Sequence, residues 1–153
     1  MNDQPFLLPF EPGDSQSAAD LHGLAFPDPW SVGSFDDLLK TPVVGGLKVL
    51  ERDALAGFIL YRVVAGEAEI LTLAVNPGLR RQGVGAQLLG GAMVQAIAGG
   101  AEEMFLEVAS GNIAAIGLYH AFGFEDVAKR SGYYGATGDD ARVMRCRLSQ
   151  PSL

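Results

Sequence analysis

Between Ile70 and Leu89 the chain reads ILTLAVNPGLRRQGVGAQLL, and this stretch limits the possible folds more than any other. An apolar run from Ile70 to Val75 predicts a strand, Asn76-Pro77-Gly78 a turn, and Arg80-Arg81-Gln82-Gly83-Val84-Gly85 a basic glycine loop that opens a helix. That order makes an anion site. The first turn of a helix carries N–H groups with no intrahelical partner, and the helix dipole adds partial positive charge there. Glycines at 83 and 85 let a phosphate approach the main chain, with arginines beside it.

Spacing narrows the phosphate ligand. A nucleotide P-loop ends in Gly-Lys-Ser/Thr, whereas Gly85 is followed by Ala86 and Gln87. A dinucleotide fingerprint would need a third glycine at position 88, which is Leu88. What remains, Arg80-x-x-Gly83-x-Gly85 after Ala-Val-Asn-Pro, resembles the acetyl-CoA pyrophosphate loop of the GCN5-related N-acetyltransferase (GNAT) family. A strand-to-helix turn that uses glycine only for its geometry is the competing reading.

The rest of the chain is consistent with one domain spanning residues 1–153, a length that buries roughly 68–70% of the unfolded surface. Its 48% hydrophobic content includes no window near the ~18 consecutive apolar residues of a membrane span. MNDQPFLLPFEPGD lacks the basic start and apolar run of a signal peptide, so a cytoplasmic protein is expected. A net charge of −7 disfavours nucleic acid as a partner and suits a basic one. The single cysteine, Cys146, alternates with arginines in RVMRCRL and is expected in the core of a terminal strand, outside any disulfide or metal site. The two histidines, His22 and His120, lack metal-ligand spacing and are expected on helix surfaces; no metal is expected.

In chain order, Phe6 to Phe10 predicts a short strand. Asp14-Ser-Gln-Ser then caps a helix with apolar positions Ala18, Leu21, Leu24 and Ala25. After a proline-set turn to Trp30, Ser31 caps a second helix through Phe35 and Leu38-Leu39. Strands at Val43 to Leu50 and Leu55 to Val64 turn at Glu51-Arg52-Asp53, and Ala65-Gly66 leads into the strand before the glycine loop. Three sequential antiparallel strands therefore feed a β-α-β-α unit, a mixed α/β (α+β mixed-sheet) class. The helix from Val84 carries Leu88, Leu89, Met93 and Ile97 and stops at Gly99-Gly100. Met104 to Val108 is a short strand, Asn112 caps a helix from Ile113 to Ala121, and Glu125 to Lys129 and Arg142 to Leu148 are the last strands.

The stretch LEVASGNIAAIGLYHAFGF, Leu106 to Phe124, looks like the second signature of the same family. It is most similar to the bacterial branch that acetylates the N-terminal alanine of a small-subunit ribosomal protein. A strand glutamate, an asparagine at the helix start, a Leu-Tyr pair and a following Gly-Phe all match, as do Ala25 to Ser31 and Tyr133-Tyr134. The resemblance implies that Leu73, Ala74 and Val75 offer main-chain groups to the acetyl and pantetheine part of acetyl-CoA. It implies that Arg81, Gln82, Gly83, Val84, Gly85 and Ala86 hold the pyrophosphate and that Asn112 contacts the far arm. Glu107 becomes the general base and Tyr119 the general acid, with Trp30, Tyr133 and Tyr134 on the acceptor side. The family's arginine after Glu-Val is Ala109 here and its proline after Tyr-Tyr is Gly135, so the acceptor grip departs from the pattern.

The residue types suit that chemistry on their own terms. An ammonium cannot attack a thioester, and an α-amine of pKa ~8 loses its proton more readily than a lysine at ~10.4. A glutamate accepts that proton at neutral pH, while a tyrosine is still protonated and can donate. The expected acceptor is a basic protein or peptide N-terminus, such as a ribosomal protein; a small amine metabolite and a non-catalytic acyl-CoA-binding module remain the alternatives.

Overall fold

A computed structural model describes residues 6–79, 83–134 and 139–148. Its elements are β1 (Phe6–Pro9), α1 (Ser15–Ala25), α2 (Val32–Leu39), β2 (Val44–Glu51), β3 (Ala54–Val64), β4 (Glu67–Val75), α3 (Val84–Ala98), β5 (Glu103–Ala109), α4 (Ile113–Ala121), β6 (Glu125–Tyr134) and β7 (Asp139–Arg147). The strands form one seven-stranded mixed sheet in the order β1-β2-β3-β4-β5-β7-β6. β4 and β5 pair in parallel, while β1 with β2, β2 with β3, β5 with β7 and β6 with β7 pair antiparallel.

The contacts divide the chain into two compact units, the first comprising Met1–Arg62 and Leu71–Ala92. Its core joins Phe10, Ala18, Leu21, Phe35, Phe58, Leu60 and Ala74. The Phe58 ring lies 5.5 Å from both Phe10 and Phe35. Phe35 and Phe58 are fully buried, so truncating either to alanine would cost about 3–5 kcal/mol. Ser31 caps α2 as its sequence suggests, its Oγ accepting from the Ser34 N–H at 3.1 Å. The β2–β3 turn, by contrast, holds Arg52 and Asp53 at φ 52° and 65°, left-handed without glycine. On α3, Gly91 permits a close approach that a side chain would block: an added Cβ would meet Leu7 and Leu47 at 2.8 Å.

The second unit comprises Val63–Ile70 and Met93–Leu153. β5 buries Met104, Leu106 and Val108 on one face, and β7 buries Met144 and Cys146. Glu103 stands opposite Arg147 in the β5–β7 register, an opposite-charge cross-strand pair. Cys146 is a core residue, as its alternation with arginines implies. Burial, with Glu125 adding to it, pushes its thiol pKa up and makes it a poor nucleophile.

Three expectations shift. Leu24 is 67% exposed, because the buried arc of α1 runs through Ala18, Leu21 and His22; at about 100° per residue Leu24 falls outside it. β6 and β7 extend to Tyr134 and back to Asp139, beyond the expected Lys129 and Arg142. His22 is only 3% exposed, so it is a core residue and not a surface one. No helix among the described residues is long and apolar enough to cross a membrane.

Candidate active site

In the first unit, β4 alternates buried Thr72 and Ala74 with half-buried Leu73 and Val75. Its parallel ladder with β5 runs from Glu67↔Glu103 to Ile70↔Leu106, so among the described residues Leu73, Ala74 and Val75 lie past the paired registers on that edge. Their main-chain groups are of the kind that can bond an extended ligand. The strand stops at Asn76, whose N–H donates to the Ala56 carbonyl at 2.8 Å and whose Oδ1 accepts from the Gly78 N–H at 2.9 Å.

Gly83 has φ 78°, and an added Cβ there would meet nothing within 4 Å. Glycine is thus demanded by the dihedral and not by crowding. α3 begins at once, its first turn closed by the Gln87 N–H on the Gly83 carbonyl at 3.0 Å. The N–H groups of Val84, Gly85 and Ala86 precede that bond and have no intrahelical acceptor, and Gly83 has no side chain with which to cap them. This arrangement suits a phosphate. Arg81 and Gln82, expected beside it, lie outside the described residues.

Trp30 is half-buried, and its ring stacks on His22 at 5.1 Å. His22 Nδ1 receives the Trp30 main-chain N–H at 3.0 Å, and its Nε2 lies 3.0 Å from Thr72 Oγ1. Burial lowers the imidazole pKa to about 4, which keeps the ring neutral.

In the second unit, Glu107 lies on the half-buried face of β5, and its Oε1 is 3.3 Å from Arg130 Nη1. The register explains the pair: Glu107 is opposite Val143 on β7, and Arg130 is opposite Ala141, on the strand beyond. Tyr119 is 6% exposed on α4, its ring edge-on to Phe124 at 5.7 Å. Asn112 caps the same helix, its Oδ1 accepting from the Ala115 N–H at 3.2 Å. That leaves the Asn112 amide nitrogen as the group able to donate to a ligand. Tyr133 and Tyr134 belong to β6, but their side chains lie outside the described set. A groove of about 610 Å³ in this unit, lined by Met93, Ile97, Phe122 and Cys146 among others, contains none of the expected site residues. Among the described residues no three His, Cys, Asp or Glu side chains gather as metal ligands would.

Sequence reading missed two neighbours of the expected site residues, Arg130 beside Glu107 and His22 beside Trp30. Arg130 becomes visible only through the three-strand register of β5, β7 and β6. His22 carried a signal, since Ala18, Leu21 and His22 follow the i, i+3, i+4 spacing of one helix face.

The family model described as the acetyltransferase (GNAT) family matches residues 15–124. The chain is 32% identical to N-alpha-acetyltransferase RimI of Mycobacterium tuberculosis over 145 residues, covering 91% of this chain and 90% of that protein. It is 35% identical over 140 residues to a Mycobacterium leprae protein of which it spans only 38%, against 88% of its own length. The crystal structure of the ribosomal-protein-S18-alanine N-acetyltransferase from Escherichia coli superposes with a TM-score of 0.89 at 28% identity, covering 97% of each chain.

Proposed function

The chain belongs to the acetyltransferase (GNAT) family and is an N-acetyltransferase, and we propose that it moves an acetyl group from acetyl-CoA to the N-terminal α-amine of a protein. The acceptor we favour is the N-terminal alanine of a ribosomal protein, the substrate named for the Escherichia coli relative. Such an acceptor would place the reaction in the cytoplasm, with residues 1–153 acting as one catalytic domain.

The observation that carries the reading is the β4–α3 junction, where Gly83 in the left-handed region is followed by three helix-start amides, Val84 to Ala86. The donor set fits a diphosphate: neutral main-chain N–H groups at the positive end of a helix. Leu73, Ala74 and Val75 would bond the amide-bearing arm along the strand edge. When bound, acetyl-CoA supplies the thioester carbonyl. Glu107 then takes the proton that the attacking amine must lose, directly or through a water, and Tyr119 gives a proton to the leaving sulfur. The ion pair with Arg130 orients the Glu107 carboxylate. Trp30, Tyr133 and Tyr134 would border the acceptor. A net charge of −7 attracts a basic partner.

The test is to incubate the protein with acetyl-CoA and two peptides, one beginning with alanine and one N-terminally blocked with an internal lysine. Acetylation of the first and not the second is the expected result; acetylation of the lysine peptide alone would defeat the acceptor assignment.

A further inference from the structure

We propose that His22 is a positioning residue for the acceptor: as a neutral imidazole protonated at Nε2, it clamps the turn carrying Trp30 to Thr72 of β4. The inference rests on the reading that Trp30 borders the acceptor. A main-chain N–H can only donate, so Nδ1, 3.0 Å from the Trp30 nitrogen, must present a lone pair. The ring proton therefore sits on Nε2, which donates to Thr72 Oγ1 at 3.0 Å. An imidazolium would set a second N–H against that of Trp30, and the surroundings disfavour one. Phe26 lies 4.4 Å from the imidazole, Trp30 5.1 Å, Phe35 5.7 Å and Phe58 6.4 Å, centroid to centroid.

Packing alone does not account for the residue. A leucine would fill the same aromatic pocket without a polar atom to satisfy, whereas both nitrogens here are bonded, one to a residue eight positions away and one to a residue fifty away. The C-cap of α1 fixes the base of the clamp, because the Phe26 N–H donates to the His22 carbonyl at 2.9 Å. One side chain thus sets where residues 26 to 30 lie relative to Thr72, the neighbour of Leu73. Loosening it should be felt by the acceptor and not by the acyl donor, which the β4–α3 junction holds.

His22→Leu keeps the bulk and loses both bonds. His22→Asn keeps an acceptor near the Nδ1 position and loses the link to Thr72 together with the ring's stacking on Trp30. In steady-state assays with acetyl-CoA and the alanine peptide, His22→Leu should raise the peptide KM about tenfold, with kcat and the acetyl-CoA KM within about twofold. His22→Asn, which keeps the Trp30 arm and lacks the Thr72 arm, should recover only part of the loss, leaving the KM about threefold raised. An unchanged peptide KM, a parallel change in all three parameters, or no recovery in the asparagine variant would overturn the proposal. If His22→Leu does not fold, Thr72→Val cuts one arm of the clamp and must still raise the peptide KM selectively; an unchanged value overturns it. Ring ¹⁵N shifts of the wild-type protein at neutral pH should show Nε2 protonated and Nδ1 bare, and the reverse tautomer or a charged ring overturns the clamp. That readout needs no turnover, so a protein that acetylates no peptide would defeat the function proposed above while the ring shifts still judge His22.

Discussion

The two strand-to-helix junctions, β4 into α3 and β5 into α4, start their helices in opposite ways. α4 opens on Asn112, whose side chain accepts from the Ala115 N–H. α3 opens on Gly83, which has no side chain and a left-handed φ of 78°. A side-chain cap stabilises a helix by about 1 kcal/mol, and Gly83, having no side chain, supplies none to α3. The difference separates two jobs. A helix start with a side-chain cap has answered one of its own donors, whereas one that begins on glycine leaves them open to a ligand such as the diphosphate we propose. On the function proposed above, the flanking strands would follow the same division, β4 with main-chain groups at Leu73 to Val75 past its ladder with β5, and β5 with the carboxylate of Glu107.

The comparison breaks most sharply if the chemistry lies elsewhere. Glu107→Gln keeps the side-chain shape, so kcat should fall about a hundredfold or more while the acetyl-CoA Kd measured by calorimetry stays put. A lowered affinity with normal turnover would reverse the roles of the two junctions. Next in size is Gly83→Asp, which puts a side chain in a left-handed residue and a negative charge at the phosphate end of α3. The acetyl-CoA Kd should rise about a hundredfold, and an unaltered Kd would make α3 an ordinary helix start.

Acid should weaken the first unit next. With His22 held at about 4 against an ordinary 6.5, the unfolded chain binds a proton that the folded one refuses. Stability is complete above 6.5 and falls as pH drops towards 4, by on the order of 2 kcal/mol, which urea melts of wild type and His22→Leu would resolve. The smallest effect belongs to the capped junction. Asn112→Ala should cost about 1 kcal/mol of stability and Asn112→Gly a few tenths, with the acetyl-CoA Kd raised about threefold to tenfold by loss of the amide that would meet the cofactor's far arm.

Legibility in the sequence follows the range of the interaction. The β4–α3 junction is written in consecutive residues, and its strand, turn, glycine and helix start are where Ile70 to Ala86 imply. The Asn112 cap is equally local. The Glu107–Arg130 pair is not, because β6 slips register against β7 between Asp126 and Ala128 and again between Arg130 and Tyr134. Each slip changes which residue faces which, and no local pattern announces it. The extra length of β6 was hidden by Ser131-Gly132, residues of weak strand preference that the sheet overrides. His22 was misplaced because a polar residue on an apolar helix face is legible only once its two partners, eight and fifty residues away, are known.

The central claim is that the uncapped amides of α3 hold the diphosphate of acetyl-CoA. Backbone ¹H–¹⁵N shifts followed during titration with CoA, and separately with phosphate-free pantetheine, test it directly. CoA should move the amides of Val84, Gly85 and Ala86 strongly, and pantetheine should move only those near Leu73 to Val75. Saturating CoA binding with the three α3 amides unmoved would contradict the account.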